Sequence, residues 1–149
     1  EDLLINQTKY IANIDGIIDE NESYQIDLIE KQVQKIKQLN MSENEIVFGA
    51  YKIYWEDLNQ YNPVETANNL SIHILILQGE RDYQVTLYDF NKWLNSIGSK
   101  ENVEFRLYPS LNHLFITGSG NSIPDEYLEE GHVEKKVIDD ISTWIKNIN

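Results

Sequence analysis

The feature that most constrains the fold is a nearly continuous apolar segment in the second half of the chain. Its apolar side chains are Ile72, Ile74, Leu75, Ile76 and Leu77. Successive residues of a strand point to opposite faces, so this pattern predicts a β-strand that is covered on both faces. Strands of this kind are typical of parallel sheets flanked by helices, and Gly79 marks the end of this one.

A second strand is predicted further along, where apolar and polar residues alternate. Its apolar positions are Val103, Phe105 and Leu107. Between the strands, Thr86 and Asp89 have the spacing of a capping box that begins a helix, and Gly98 lies beyond its end. A last amphipathic helix carries Val133, Val137, Ile138, Ile141, Trp144, Ile145 and Ile148. The order strand, helix, strand, helix predicts an α/β fold with two parallel strands and flanking helices.

The first sixty residues are predicted to be helical. Residues Ile26, Ile29, Val33 and Ile36 recur at helical spacing. An earlier apolar segment is separated from them by the turn pair Asp15-Gly16, which predicts an antiparallel helical pair.

A capping box at Ser42 and Glu45 predicts a further helix. This helix would carry Ile46, Val47, Tyr51, Tyr54, Trp55 and Leu58. Its aromatic residues fit either a core, or the underside of a lid, or a binding surface. Asn62 and Pro63 then predict a short helical turn that runs through Ala67.

Composition excludes several classes of function. Twelve Lys and Arg against 25 Asp and Glu give a net charge of −13, which argues against a groove for nucleic acid or an anionic membrane surface. The 149 residues contain no Cys, so neither a disulfide framework nor a thiolate metal site is expected. No apolar run reaches the length of a membrane span and no signal-like start is visible, so a cytoplasmic protein is expected.

Two segments that follow the predicted strands contain the residues of chemical interest. Asp82 comes directly after the first strand, in Gly79-Glu80-Arg81-Asp82, and His113 comes after the second, in Asn112-His113. Parallel strands gather their ligand and catalytic groups at their carboxyl ends, so Asp82 and His113 are expected to meet. Such a pair activates a nucleophile, because His accepts the proton while Asp orients the ring.

At these residues the sequence resembles the C-terminal part of the α/β-hydrolase fold, in its dienelactone-hydrolase and prolyl-oligopeptidase-like branch. The resemblance rests on Gly79-x-x-Asp82, on Asn112-His113 and on the closing amphipathic helix, and it covers roughly residues 60 to 149. It implies that Asp82 is the triad acid and His113 the triad base. It also implies two parts: a helical lid-like segment, residues 1–61, and the C-terminal half of the hydrolase core, residues 62–149.

The sequence departs from this family at the nucleophile. No Gly-x-Ser-x-Gly is present, and the nearest match, Gly120-Asn121-Ser122-Ile123-Pro124, lies after the histidine and ends in proline. The chain is therefore expected to be the C-terminal fragment of a serine hydrolase that acts on ester or peptide bonds. Its nucleophile would lie outside these residues, so the fragment alone would be inactive. The alternative is a non-catalytic interaction module built on the same fold remnant.

Other polar residues are expected to have structural roles. His73 is expected at a strand edge or packed within the strand, and His132 in a turn. The three histidines lack the spacing of a metal site, and no cofactor is expected. The acidic residues Asp125, Glu126, Glu129 and Glu130 are expected to form a solvated loop face. The expected partners are an ester or peptide substrate and further copies of the chain, joined through an exposed edge of the sheet.

Overall fold

The computed structural model describes residues 2–148. The helices are α1 (Asp2–Ala12), α2 (Glu20–Lys37), α3 (Lys52–Gln60), α4 (Pro63–Asn69), α5 (Leu87–Ile97) and α6 (Lys135–Asn147). The strands are β1 (Ile46–Val47), β2 (Ala50–Tyr51), β3 (Ile74–Gly79) and β4 (Val103–Tyr108), and a 3₁₀ helix spans Pro124–Leu128. The chain divides into two compact units, with the boundary between Pro63 and Val64.

The first unit begins with the antiparallel helical pair that the sequence predicts. Lys9 Nζ of α1 lies 2.6 Å from Glu30 Oε1 of α2, and Asp2 at the start of α1 pairs with Lys37 at the end of α2. Helix α2 starts with a capping box, in which Asp19 and Glu22 each accept the other's backbone N–H. The predicted turn between the helices is confirmed.

The prediction of a helix that begins at Ser42 is wrong for residues 42–51. The segment instead forms a hairpin of β1 and β2, and α3 starts only at Lys52. Phe48 and Gly49 have φ values of 47° and 78°, as in the two-residue turns that suit the twist of paired strands. The Glu45 carboxylate still accepts the Ser42 N–H at 3.3 Å, but it closes a turn and not a helix.

A small apolar core holds the end of this unit together. Its buried residues are Ile36, Met41, Val47 and Trp55, and the Trp55 indole donates to the Val47 carbonyl at 3.2 Å. Tyr51 and Tyr54 are more than half exposed, at 51% and 54%. Of the aromatic residues Tyr51, Tyr54 and Trp55, Trp55 is therefore the one in the core.

The second unit is built on the two parallel strands that the sequence predicts. β3 and β4 run in register from Ile74 opposite Val103 to Gly79 opposite Tyr108. Ile74 and Ile76 pack on one face with residues of α4 and α5, whereas Leu77 packs with residues of α6. The α/β class, with helices on both faces of a parallel pair, is confirmed.

The ends of these elements differ little from the predictions. Helix α5 follows Thr86, whose backbone N–H and hydroxyl lie 3.3 Å from the Asp89 carboxylate, and it ends at Ile97 with Gly98 as its C-cap. Helix α6 begins at Lys135, two residues after the predicted Val133. β3 begins at Ile74, so His73 precedes the strand and is exposed, contrary to its predicted place inside it.

Two further observations concern the surface of the described chain. Across residues 2–148, β3 is paired only with β4, which leaves its other edge unpaired. None of the helices in that range has the length and apolar character needed to cross a bilayer.

Candidate active site

The loops that follow β3 and β4 lie against each other because β3 ends in glycine. A Cβ atom on Gly79 would stand 2.4 Å from the carbonyl oxygen of Leu111 and 2.6 Å from that of Asn112. Both distances are far shorter than van der Waals contact, so no side chain fits here without moving backbone. Glycine at this position therefore allows the second loop to cross the end of β3.

Backbone hydrogen bonds then fix the two loops together. The N–H of Glu80 donates to the Tyr108 carbonyl at 2.9 Å, and the N–H of Arg81 donates to the Leu111 carbonyl at 3.0 Å. The residue that follows, Asp82, is thus placed by hydrogen bonds to the loop that carries the histidine.

The Asp82 carboxylate is buried, and both of its oxygens have hydrogen-bond partners. Its Oδ1 accepts the backbone N–H groups of Gln84 at 2.8 Å and Val85 at 2.9 Å. Its Oδ2 lies 2.7 Å from Nδ1 of His113 and 3.3 Å from Nε2 of Gln78. An Asp that accepts N–H groups two and three residues ahead is characteristic of an Asx turn, so its orientation is set locally.

The two ring nitrogens of His113 differ in their contacts: Nδ1 contacts Asp82, whereas Nε2 does not. Its side chain is 38% exposed, while that of Asp82 is 6% exposed. Within the described part of the chain, Nε2 of His113 forms no hydrogen bond. A carboxylate on Nδ1 favours the tautomer that carries its proton there, which leaves the Nε2 lone pair free to accept a proton. The structure thus brings Asp82 and His113 together in the geometry of an acid–base pair.

Asn112 shapes the turn that presents His113. Its side-chain Oδ1 accepts the N–H groups of Leu114 at 3.0 Å and Ile116 at 3.1 Å, and its backbone carbonyl accepts that of Phe115. Phe115 has a φ of 57°, in the left-handed region that nonglycine residues rarely adopt. From sequence, Asn112 is predicted only as part of the Asn112-His113 motif; the signal for this further role is the tendency of Asn to hydrogen-bond nearby backbone.

The prediction of a solvated acidic face is wrong for Glu126. Its carboxylate forms an ion pair with Arg81 and accepts hydrogen bonds from Ser122 Oγ at 2.8 Å and Asn112 Nδ2 at 3.2 Å. Burial raises the pKa of Glu126, but these three donors and the Arg81 charge outweigh it, so the pKa lies below 4.5. Sequence could not show this, because two of the partners of Glu126, Arg81 and Asn112, come from other segments of the chain.

The remaining candidates lie outside this site. Ser122, in the nearest match to a nucleophile motif, is fully buried and bonded to Glu126, so it is not exposed to a substrate. His73 and His132 are exposed, as are Asp125, Glu129 and Glu130. Over residues 2–148, no three His, Cys, Asp or Glu side chains are grouped to hold a metal ion.

The chain is similar to a curated esterase. Esterase EstD of Thermotoga maritima is 37% identical over 145 residues, which cover 97% of this chain and 34% of that protein. The chain therefore spans about a third of the length of this curated relative. No protein-family model matches the sequence, and no solved structure matches it.

Proposed function

We propose that this chain is the acid- and histidine-bearing C-terminal part of a serine esterase of the α/β-hydrolase type. The observation that carries the proposal is the 2.7 Å contact between His113 Nδ1 and Asp82 Oδ2 at the carboxyl ends of two parallel strands. The similarity to an esterase over nearly the whole chain supports ester hydrolysis as the reaction.

In this proposal His113 moves the proton at each step. Nε2 takes the proton of a serine hydroxyl while the serine Oγ attacks the ester carbonyl, and then gives it to the departing alkoxide. Water hydrolyses the acyl-enzyme with the same histidine as base. Asp82 keeps the proton of the neutral His113 ring on Nδ1 and stabilises the imidazolium that forms when Nε2 is protonated. The serine is proposed to lie outside residues 1–149.

The proposal also assigns the two parts of the chain. Residues 1–61 are a lid-like segment, and residues 62–149 belong to the hydrolase core. The boundary between compact units at Pro63 and Val64 supports a division near this point.

The test is hydrolysis of short p-nitrophenyl esters, with matched p-nitroanilides as amides, by the longer protein that contains this chain. His113→Ala and Asp82→Asn are each expected to lower kcat by about 10⁴-fold, because removing either member disables proton transfer. His132→Ala, the loss of an exposed histidine, is the control and should leave kcat unchanged. Full ester turnover in His113→Ala would contradict the proposal.

A second proposal concerns the unpaired edge of β3. Exposed strand edges pair with other chains, so the isolated 149-residue chain is expected to self-associate. A non-catalytic interaction module would show the same association in the longer protein, whereas an esterase in which further strands cover this edge would not. Light scattering that gives a monomer for the isolated chain at high concentration would contradict self-association.

A further inference from the structure

One carboxylate connects the loop of Asp82 to the loop of His113. Oε1 of Glu126 pairs with the guanidinium of Arg81, the residue before Asp82. Oε2 accepts from Nδ2 of Asn112, the residue before His113, at 3.2 Å. We propose that Glu126 is a positioning residue that keeps Asp82 and His113 at hydrogen-bond distance. Its effect on turnover rests on the proposed function; its effect on geometry does not.

The first reason is that Arg81 is held inside the protein. Its side chain is 7% exposed, and a cation with so little access to water needs a counter-charge nearby. Its other acceptors are neutral carbonyls, those of Gly120 at 2.8 Å and Ser119 at 3.3 Å. Glu126 is thus the carboxylate that balances this charge, which fixes the Arg81 side chain relative to the loop at 119–126.

The second reason is that the side-chain amide of Asn112 bonds both to Glu126 and to the turn that carries His113. Its Oδ1 organises the turn after His113, while its Nδ2 donates to Glu126. Oδ1 and Nδ2 belong to the same planar amide. If Glu126 moves, the amide rotates with it, and Oδ1 is displaced from the backbone N–H groups of the turn. His113 stands between Asn112 and Leu114, and its ring would lose its alignment with Asp82.

The third reason is that Glu126 is itself immobilised. Ser122 is fully buried, and its hydroxyl donates to Oε2 of Glu126 at 2.8 Å from one turn earlier in the chain. Both carboxylate oxygens therefore have partners, and these contacts restrain the side chain. A carboxylate fixed in this way can transmit the position of one loop to the other.

The experiment compares Glu126→Asp and Glu126→Gln with Glu129→Asp and Glu129→Gln in the longer protein. Aspartate keeps the charge but is one methylene too short to span Arg81 and Asn112, whereas glutamine keeps the length but loses the charge. Glu129 is exposed and close in sequence, so its variants control for nonspecific effects. Circular dichroism and thermal unfolding identify variants that fail to fold.

Nitrogen NMR of the histidine rings gives the direct readout. In the parent protein His113 is expected to be in the Nδ1–H tautomer, because Nδ1 faces the carboxylate of Asp82. Folded Glu126→Asp should lose this preference and lower kcat by about 10- to 100-fold with little change in KM, since small misplacements of catalytic groups are costly. Both Glu129 variants should match the parent protein.

The outcomes separate this proposal from the proposed function. Parent-like tautomer and kcat in a folded Glu126→Asp, with activity lost in His113→Ala, would overturn the positioning role alone. A changed tautomer in Glu126→Asp, with full turnover in His113→Ala, would support positioning and contradict the esterase mechanism. If Glu126→Asp does not fold, Glu126→Gln and Asn112→Ser are measured in the same way, and a parent-like tautomer in both contradicts the role.

Discussion

The two units of the protein use charge in different ways. In the first unit, ion pairs lie on the helix surfaces, as in Lys9–Glu30, whose side chains are 50% and 42% exposed. In the second unit, Arg81 and Asp82 are almost fully buried, and each has an oppositely charged or titratable partner on another loop. Surface pairs add little to stability, while buried charges are costly unless they are fully bonded.

This difference distinguishes the first unit from the loops around Asp82 and His113 in the second. The exposed pairs of the first unit accompany a capping box on α2 and a small apolar core, so no single pair decides the fold. The charged side chains of Arg81 and Asp82, which are 7% and 6% exposed, follow the carboxyl end of β3 and contact the Glu126 and His113 loops. The second unit therefore has buried charged side chains in the loops that bring Asp82 and His113 together, and the following predictions test that contrast.

The largest effect is expected for Gly79→Ala compared with Gly16→Ala in the first unit. Gly79 has no room for a Cβ atom, whereas Gly16 has open space but a φ of 83°. We expect the first substitution to cost about 3 kcal/mol through backbone displacement and the second about 1 kcal/mol through conformational strain. Amide hydrogen exchange, read separately for each unit, measures both costs. Equal costs would mean that the loop crossing tolerates a side chain.

The next effect concerns Glu126→Gln compared with Glu30→Gln. Loss of the ion pair with the buried Arg81 side chain is expected to cost about 2 kcal/mol at neutral pH, because hydrogen bonds to charged groups are stronger than neutral ones. Loss of the exposed pair with Lys9 should cost much less. Denaturant unfolding of the two variants checks this order, and an equal loss would remove the contrast between the units.

The same comparison predicts a dependence on pH. Because the folded pKa of Glu126 is lowered, its ionised form stabilises the fold fully above the ordinary value of 4.5. That contribution is lost as the pH falls through the lowered folded pKa. The gap in stability between the parent protein and Glu126→Gln should therefore shrink in acid, and a gap that stays constant would contradict ionisation as its source.

A smaller effect is expected for Tyr108→Phe. Burial, together with donation to the Asp140 carboxylate at 3.0 Å, raises the pKa of Tyr108 to about 12. The neutral hydroxyl is thus favoured by folding, and its stabilisation is present below pH 10 and lost as the pH rises towards 12. We expect a loss of about 1.5 kcal/mol at neutral pH. Tyr24→Phe, at an exposed helix position, is the control.

The smallest effect is expected for Asp19→Ala. Its carboxylate accepts the Glu22 N–H at 2.8 Å at the start of α2, and such a cap contributes about 1 kcal/mol. The loss should appear as faster amide exchange in the first turn of α2, while the loops around Asp82 and His113 remain protected. Changes near His113 would show that the two units are not independent in stability.

Local patterns predicted most of the elements correctly. The pair of helices α1 and α2, the parallel strands, the start of α5 and the positions of Asp82 and His113 after those strands all follow from periodicity, caps and strand order. The hairpin at 46–51 was missed because its signal is confined to one residue pair, Phe48 and Gly49. A capping-box pattern at Ser42 and Glu45 was the stronger local signal, and the same two residues form a turn.

The sequence by itself determined which residues follow the parallel strands, because strand order and alternation are local properties of the chain. It did not determine that Gly79 admits the neighbouring loop, or that Glu126 joins Arg81 to Asn112. Those contacts connect residues far apart in the chain, and their energies depend on burial and distance, which exist only once the chain has folded. The tertiary structure therefore decided how Asp82 and His113 are held.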